Sequence, residues 1–210
     1  MTTPRGSGLP AELDAHFHLL DRQIVDSENR MVAKVDDLEL VERFDGPAVI
    51  AILTGPGALG PRLGGLLGEW IVAVWRRLHP EVDPQPGRIP IEEVTGLDNA
   101  VHVRHSGYEL GVQGFERWAD ATVVSRLPLV HGRGPSGQPG EAAVPGLPGS
   151  RRLSQLIGQA VVAADGRRLG QVSDVRLRRD PIMDALVVTE LLVNPRAVRS
   201  RFGYERPGAA

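Results

Sequence analysis

The chain has 210 residues, 41% hydrophobic, 24% charged and 4% aromatic, with a formal net charge of −2 and no cysteine, enough for one ordinary domain or two small ones. The lack of cysteine excludes a disulfide framework, a thiolate zinc site, an iron–sulfur cluster and a cysteine nucleophile. The opening MTTPRGSGLPAELD has no apolar stretch that would serve as a signal peptide, and the most apolar window, Leu66–Leu78, is interrupted by Gly68, Glu69, Arg76 and Arg77, short of the roughly 18 apolar residues that span a bilayer. The composition predicts a soluble, cytoplasmic protein.

In chain order, His16-Phe-His18 stands where the first strands are expected to begin, a spacing that puts both imidazoles on one face of a strand. A short strand follows at Ile24–Asp26, then a turn over Ser27–Asn29 and a longer alternating strand ending at Leu40. A third strand is predicted at Ala48–Leu53. Gly55-Pro-Gly57-Ala-Leu-Gly60 satisfies G-x-G-x-x-G, but Pro56 removes an N–H from the loop and no βαβ unit surrounds it, so a structural turn is the expectation. Leu63, Leu66, Leu67, Trp70, Ile71, Val74, Trp75 and Leu78 recur at helical spacing, predicting a helix over 63–79 closed by Pro80. Two short strands, Arg88–Ile91 and Ala100–Arg104, and an amphipathic helix over 115–127 containing Trp118 complete the first unit, residues 11–131.

Six glycines and four prolines crowd into Gly132–Ser150, the composition of a flexible linker over 132–150. Charge divides at the same place. Residues 1–149 carry 13 basic and 20 acidic side chains, and 150–210 carry 11 arginines against 6 acids.

Beyond the linker the first pattern returns. Asp21–Leu40 (DRQIVDSENRMVAKVDDLEL) aligns without gaps on Gly158–Leu177 (GQAVVAADGRRLGQVSDVRL) at a spacing of 137, pairing Ile24 with Val161, Val32 with Leu169, Val35 with Val172, and Asp37 with Asp174. Asp165-Gly166 is a strong hairpin signal, and a strand at Ala185–Val193 answers Ala48–Leu53. After a two-residue offset the match resumes, Pro56…Arg62-Leu-Gly64 facing Pro195…Arg201-Phe-Gly203. The second unit, 151–210, stops before any equivalent of the last two strands.

These residues carry a family resemblance. Leu156-Ile-Gly158, Val161-Val162, Asp165-Gly166, Leu169-Gly170-Gln-Val172 and Asp174-Val175 resemble the PRC-barrel family, the small β-barrel of the photosynthetic reaction-centre H subunit and of RimM-type ribosome maturation factors. Arg88-Ile-Pro-Ile91 with Val94 looks like that family's late Pro-apolar strand. The first copy departs from the pattern at Asp21, Asn29 and Ala33. The resemblance implies a mainly β fold with α insertions, a small PRC-type barrel duplicated along the chain, and a binding or assembly role rather than an enzymatic one.

No cofactor or metal motif is found, and G-x-S-x-G is absent. The adjacent carboxylates Asp36-Asp37 and Glu92-Glu93 would point to opposite faces of a strand, and His102 is expected to point away from His105. The expected function is therefore a non-catalytic assembly module, a homodimer docking on a protein partner. Its anchor candidates are Trp70, Trp75, Arg76, Arg77, Trp118, Phe202 and Tyr204. Arg176, Arg178, Arg179, Arg199 and Arg201 are candidate contacts for an anionic partner, and an RNA- or ribosome-associated role is the alternative. The truncated second unit is expected to leave strand edges for the first unit, a second chain or a partner strand to pair.

Overall fold

The computed structural model describes residues 8–44, 46–78, 86–107, 109–110, 149–180 and 185–195. The chain runs β1 (Glu12–Asp14), α1 (Ala15–His18), β2 (Gln23–Val25), β3 (Met31–Lys34), β4 (Asp37–Val41), β5 (Ala48–Thr54), α2 (Pro56–Leu63), α3 (Gly65–Leu78), β6 (Gly87–Pro90), a one-turn 3-10 helix at Ile91–Glu93, β7 (Val94–Leu97) and β8 (Ala100–Val103). It continues with β9 (Ser150–Arg152), α4 (Leu153–Leu156), β10 (Ala160–Val162), β11 (Arg168–Asp180) and β12 (Ala185–Asn194). The fold is mainly β. The helix expected over 63–79 is α3, Gly65–Leu78, while Leu63 ends the separate helix α2; the break falls at Gly64 and Gly65, whose φ of 61° and 58° is a left-handed backbone that helical geometry excludes. His16 and His18 lie on a one-turn helix, not a strand, and so do not share a face. Trp118, Arg199, Arg201, Phe202 and Tyr204, the helix over 115–127 and most of the linker lie outside the described residues.

The 137-residue spacing reappears in backbone hydrogen bonds. Asp21 donates to the Val35 carbonyl at 2.8 Å and Gly158 to that of Val172 at 2.7 Å; Asp26 donates to Arg30 and Ala163 to Arg167, both at 2.9 Å. Asp21 and Asn29 hold φ of 63° and 60°, the left-handed backbone that Gly158 and Gly166 hold at 87° and 83°. Asp21 and Asn29 thus keep the conformation of the glycines found 137 residues later, whereas Ala33, opposite Gly170 at φ 151°, does not. At Asp21 the strain is offset by a two-pronged bond from Arg62, at 2.9 and 2.8 Å.

The strands form two open sheets. One runs β1-β11-β12-β5-β4-β9, with β10 also on β11 and β6 also on β5; the other runs β3-β2-β8-β7. A closed barrel was the expectation. The sheet stays open because the free edge of each long strand is taken by three residues from the other half of the chain: β9 pairs with β4, and β1 with β11. β5 and β12 join at Val49↔Leu186 and Ala48↔Val187. β11 spans in one strand what the first half divides into β3 and β4. The division falls at Val35-Asp36, where Asp36 leaves the strand to meet Gly55, and Ser173 stands at the corresponding place in β11.

Two aspartates lock this exchange. Asp174 on β11 accepts from the backbone N–H of His16 and Phe17 at 2.7 and 3.0 Å, at the start of α1. Asp37, its counterpart on β4, accepts from the N–H of Ser154 at 3.1 Å and from its hydroxyl at 2.5 Å, at the start of α4. Each also accepts from the residue after it, Val175 or Leu38. Each half thus caps the other half's short helix. Burial pushes both carboxyls up, against the pull of those N–H donors. Beneath the caps, Leu19, Ile24, Leu38 and Ile52 from the first half and Leu153 and Leu177 from the second share one apolar core, each contributing about 1.5–3 kcal/mol by burial.

Asp174→Ala and Asp37→Ala each leave helix N–H groups without an acceptor and are expected to lower the unfolding free energy by about 1–3 kcal/mol. Urea midpoints check this, and Asp→Asn, which retains an acceptor oxygen, restores most of the loss.

Candidate functional site

Gly55 opens the stretch that the sequence offered as a phosphate loop. Its φ of 86° suits only glycine comfortably, and Pro56 follows as the first residue of α2, where its missing N–H costs nothing. The loop is occupied by the protein itself. The Asp36 carboxylate accepts from the Gly55 N–H at 2.5 Å, and Ala58 and Leu59 both donate to the Gly55 carbonyl at 2.9 Å. A carboxylate held where a phosphate would sit repels it. Burial pushes the Asp36 carboxyl up to about 7, only partly countered by the Gly55 N–H and the Arg62 guanidinium.

α2 and α3 pack at a glycine contact. A Cβ on Gly68 would lie 2.1 Å from the Gly60 carbonyl oxygen, so the two helices approach backbone to backbone there. Gly68, Val72 and Trp75 follow one another at helical spacing along the inward side of α3, and Trp75 is only 6% exposed. The outward side carries Leu66 at 87%, Leu67 at 40% and Trp70 at 45% exposure. Arg76 and Arg77 close the helix, both exposed. Of the two tryptophans singled out from the sequence, Trp70 faces outward and Trp75 packs inward.

The second-half arginines differ in exposure. Arg176 donates to Asp14 and to Glu190, both at 3.0 Å, bridging β1, β11 and β12, whereas Arg178 and Arg179 lie on the exposed end of β11. The paired acids part company: Asp36 turns to Gly55, Asp37 to Ser154. Glu92 and Glu93 sit on a 3-10 turn rather than a strand, with Glu93 against His105 at 2.5 Å. His102 meets Asp98 at 3.0 Å, on a separate partner. Among the described residues no group of three or more His, Asp or Glu side chains is placed to hold a metal, and no helix is long and apolar enough to cross a membrane. A hollow between β4 and β9, lined by Leu40, Val41, Pro47, Arg151 and Leu156, holds about 30 Å³, room for a water rather than a substrate.

Compared with known proteins, the chain matches no family model and no curated protein. The outer face of α3 is thus identified by its own geometry. The sequence placed Trp70 on a helix but did not place α2, whose signal was Gly55-Pro56, a glycine followed by a proline suited to a first helical turn. It also missed the Gly60–Gly68 contact that turns Trp75 inward.

Two predictions follow from this packing. Gly68→Val separates the helices and is expected to destabilise the chain by about 1–3 kcal/mol, read as a lowered thermal midpoint. For Asp36, the unfolded carboxyl releases its proton near 3.8 while the folded one keeps it up to about 7. Its stabilising effect is therefore complete below the unfolded value and is lost as pH rises through the folded one. Asp36→Asn is expected to flatten the fall in thermal midpoint between pH 4 and pH 8.

Proposed function

We propose that this chain is a non-catalytic, cytoplasmic assembly protein, internally duplicated on a PRC-type plan, that docks on a protein partner through the outer face of α3. The observation that carries the reading is the exposure of Leu66, Leu67 and Trp70 together on a helix whose opposite side is fixed by Gly68 and Trp75. Large apolar side chains grouped on one face, with Trp among them and arginines beside them, have the chemistry of interface anchors. The partner that fits is a protein with an apolar groove able to take Trp70 and an acidic rim to meet Arg76 and Arg77. A second copy of the chain, packed α3 face to α3 face, is the other partner proposed and gives the homodimer.

The duplication is supported by the hydrogen bonds and left-handed turns that recur at a spacing of 137. Support for the RNA alternative is thinner, because Arg176 is already held between Asp14 and Glu190.

The test uses the full chain, with partner capture from nuclease-treated lysate and native mass. Trp70→Ala is expected to weaken capture of a defined protein partner, or self-association, by about 30-fold or more. Salt dependence should be mild and the fold intact by circular dichroism. Binding that disappears with nuclease, falls steeply with salt and is lost in Arg178→Ala but kept in Trp70→Ala would overturn docking and support the RNA alternative.

A further inference from the structure

α3 packs on α2, and α2 packs on β4, β5 and α4. Whatever holds α2 therefore also sets the position of the outer face of α3. One residue, Asp36, grips α2 at both ends. Its carboxyl accepts from the Gly55 N–H at 2.5 Å, just ahead of the first turn, and its main-chain carbonyl accepts from the Arg62 guanidinium at 3.2 Å, in the last turn. The N–H of Asp36 is anchored in turn on the Leu53 carbonyl of β5, at 3.0 Å. Two further contacts assist: Arg62 also holds Asp21, and Arg152 donates to the Gly57 carbonyl at 3.0 Å.

The Asp36 carboxyl is badly placed to carry a charge. The residue is 9% exposed, and among the described residues the Gly55 N–H is the one donor on its carboxyl. Asp37 and Asp174, also buried, each accept from three donors. Thr54, next to Gly55, is buried with a hydroxyl that makes no hydrogen bond, to Asp36 or to any other described residue. The charged groups facing Asp36 are one cation, Arg62 on α2, and two carboxylates, Asp21 before β2 and Asp37 on β4. Arg62 directs its N–H groups to the Asp21 carboxylate and the Asp36 carbonyl, not to the Asp36 carboxyl. Lys34 and His16 lie near Asp21, and Arg152 near Asp37. A buried carboxyl with one donor and two like charges around it holds its proton. Once α2 lifts and water reaches it, the same carboxyl ionises in the ordinary range, so protons favour the held helix and loss of the proton favours the released one.

We propose that Asp36 is a proton-controlled latch: with its proton it keeps α2, and the outer face of α3 with it, fixed on the sheet, and without its proton it lets α2 go. A fixed face presents Leu66, Leu67 and Trp70 already ordered, whereas a released one must be ordered on binding, which costs affinity. Docking is then favoured on the acid side of the transition. That consequence rests on the reading of α3 as the docking face; the latch itself does not.

Hydrogen exchange on the full chain, without any partner, tests the latch. After correction for the intrinsic pH dependence of exchange, protection of the Gly55 amide and of the α2 amides is expected to fall at least ten-fold between pH 6 and pH 8.5, with β11 unchanged. Asp36→Asn keeps an acceptor oxygen that never ionises and is expected to remove this fall; it leaves His16 in place and so separates the two groups. Constant protection in the natural chain, the same fall in Asp36→Asn, or an equal fall in β11 overturns the latch. Asp21→Asn provides a check that does not depend on Asp36→Asn folding, and asparagine tolerates the left-handed backbone at that position. It removes one neighbouring carboxylate and frees Arg62 to face Asp36, so the midpoint of the fall is expected to move to lower pH by about half a unit or more. An unmoved or raised midpoint overturns the latch. Trp70→Ala is expected to leave the exchange profile as it is, so a failure of docking and a failure of the latch are read separately.

Discussion

Two buried carboxylates hold the arrangement together. Asp37 and Asp174 stand 137 residues apart, and each reaches across to the first turn of a helix in the other half. A helix of four residues cannot sustain itself, because it makes almost no internal hydrogen bonds and leaves its N–H groups bare. α1 and α4 therefore exist where they do because a carboxylate from the opposite half accepts those groups. The cost is the burial of two acids, which pushes both carboxyls up, and it is offset by concentrating several donors on each oxygen pair. Neither half contains the acceptor its own helix needs.

From that reciprocity the sheet follows. Helices fixed against the opposite half bring their leading strands with them, so β1 lies on β11 and β9 on β4, and the central strands β5 and β12 meet near the axis of the exchange. The departures from this symmetry fall where the first half carries extra structure. Asp26 gathers N–H groups from Glu28, Arg30 and Gly107 and so ties the end of the β7–β8 region to the turn after β2. Ala163, at the matching position, has no carboxylate to do this, and there Val162 is 56% exposed where Val25 is 9%.

Much of this was legible in the sequence, and what was not has a physical reason. Strands that alternate over many residues, such as the run ending at Leu40 and its counterpart ending at Leu177, announce themselves through periodicity. So did the alignment of Asp37 with Asp174, although the groups they cap lie more than a hundred residues away and leave no local trace. The three-residue strands Glu12–Asp14 and Ser150–Arg152 hold one apolar residue between them, Leu13, and are too short for an alternation to be read; they are strands only because a longer strand edge is waiting for them. α3 was read as beginning at Leu63 because apolar spacing runs through Gly64-Gly65, and a break made by backbone chirality does not interrupt a pattern of side chains. At the docking face, spacing marked both Trp70 and Trp75, and which one faces outward depended on a glycine contact with α2.

The pairing of β1 with β11 also sets an order of events during synthesis. Asp14 and its partner Arg176 are 162 residues apart, so at about 5–20 residues per second the first strand emerges some 8–30 s before the strand it will pair with. During that interval α1 has no cap and Leu13, Leu19 and the rest of its apolar surface have no second half to cover them. A chain built this way cannot finish its amino-terminal region early. It matures at both ends together, and until then the apolar surface of its first half stays open to water.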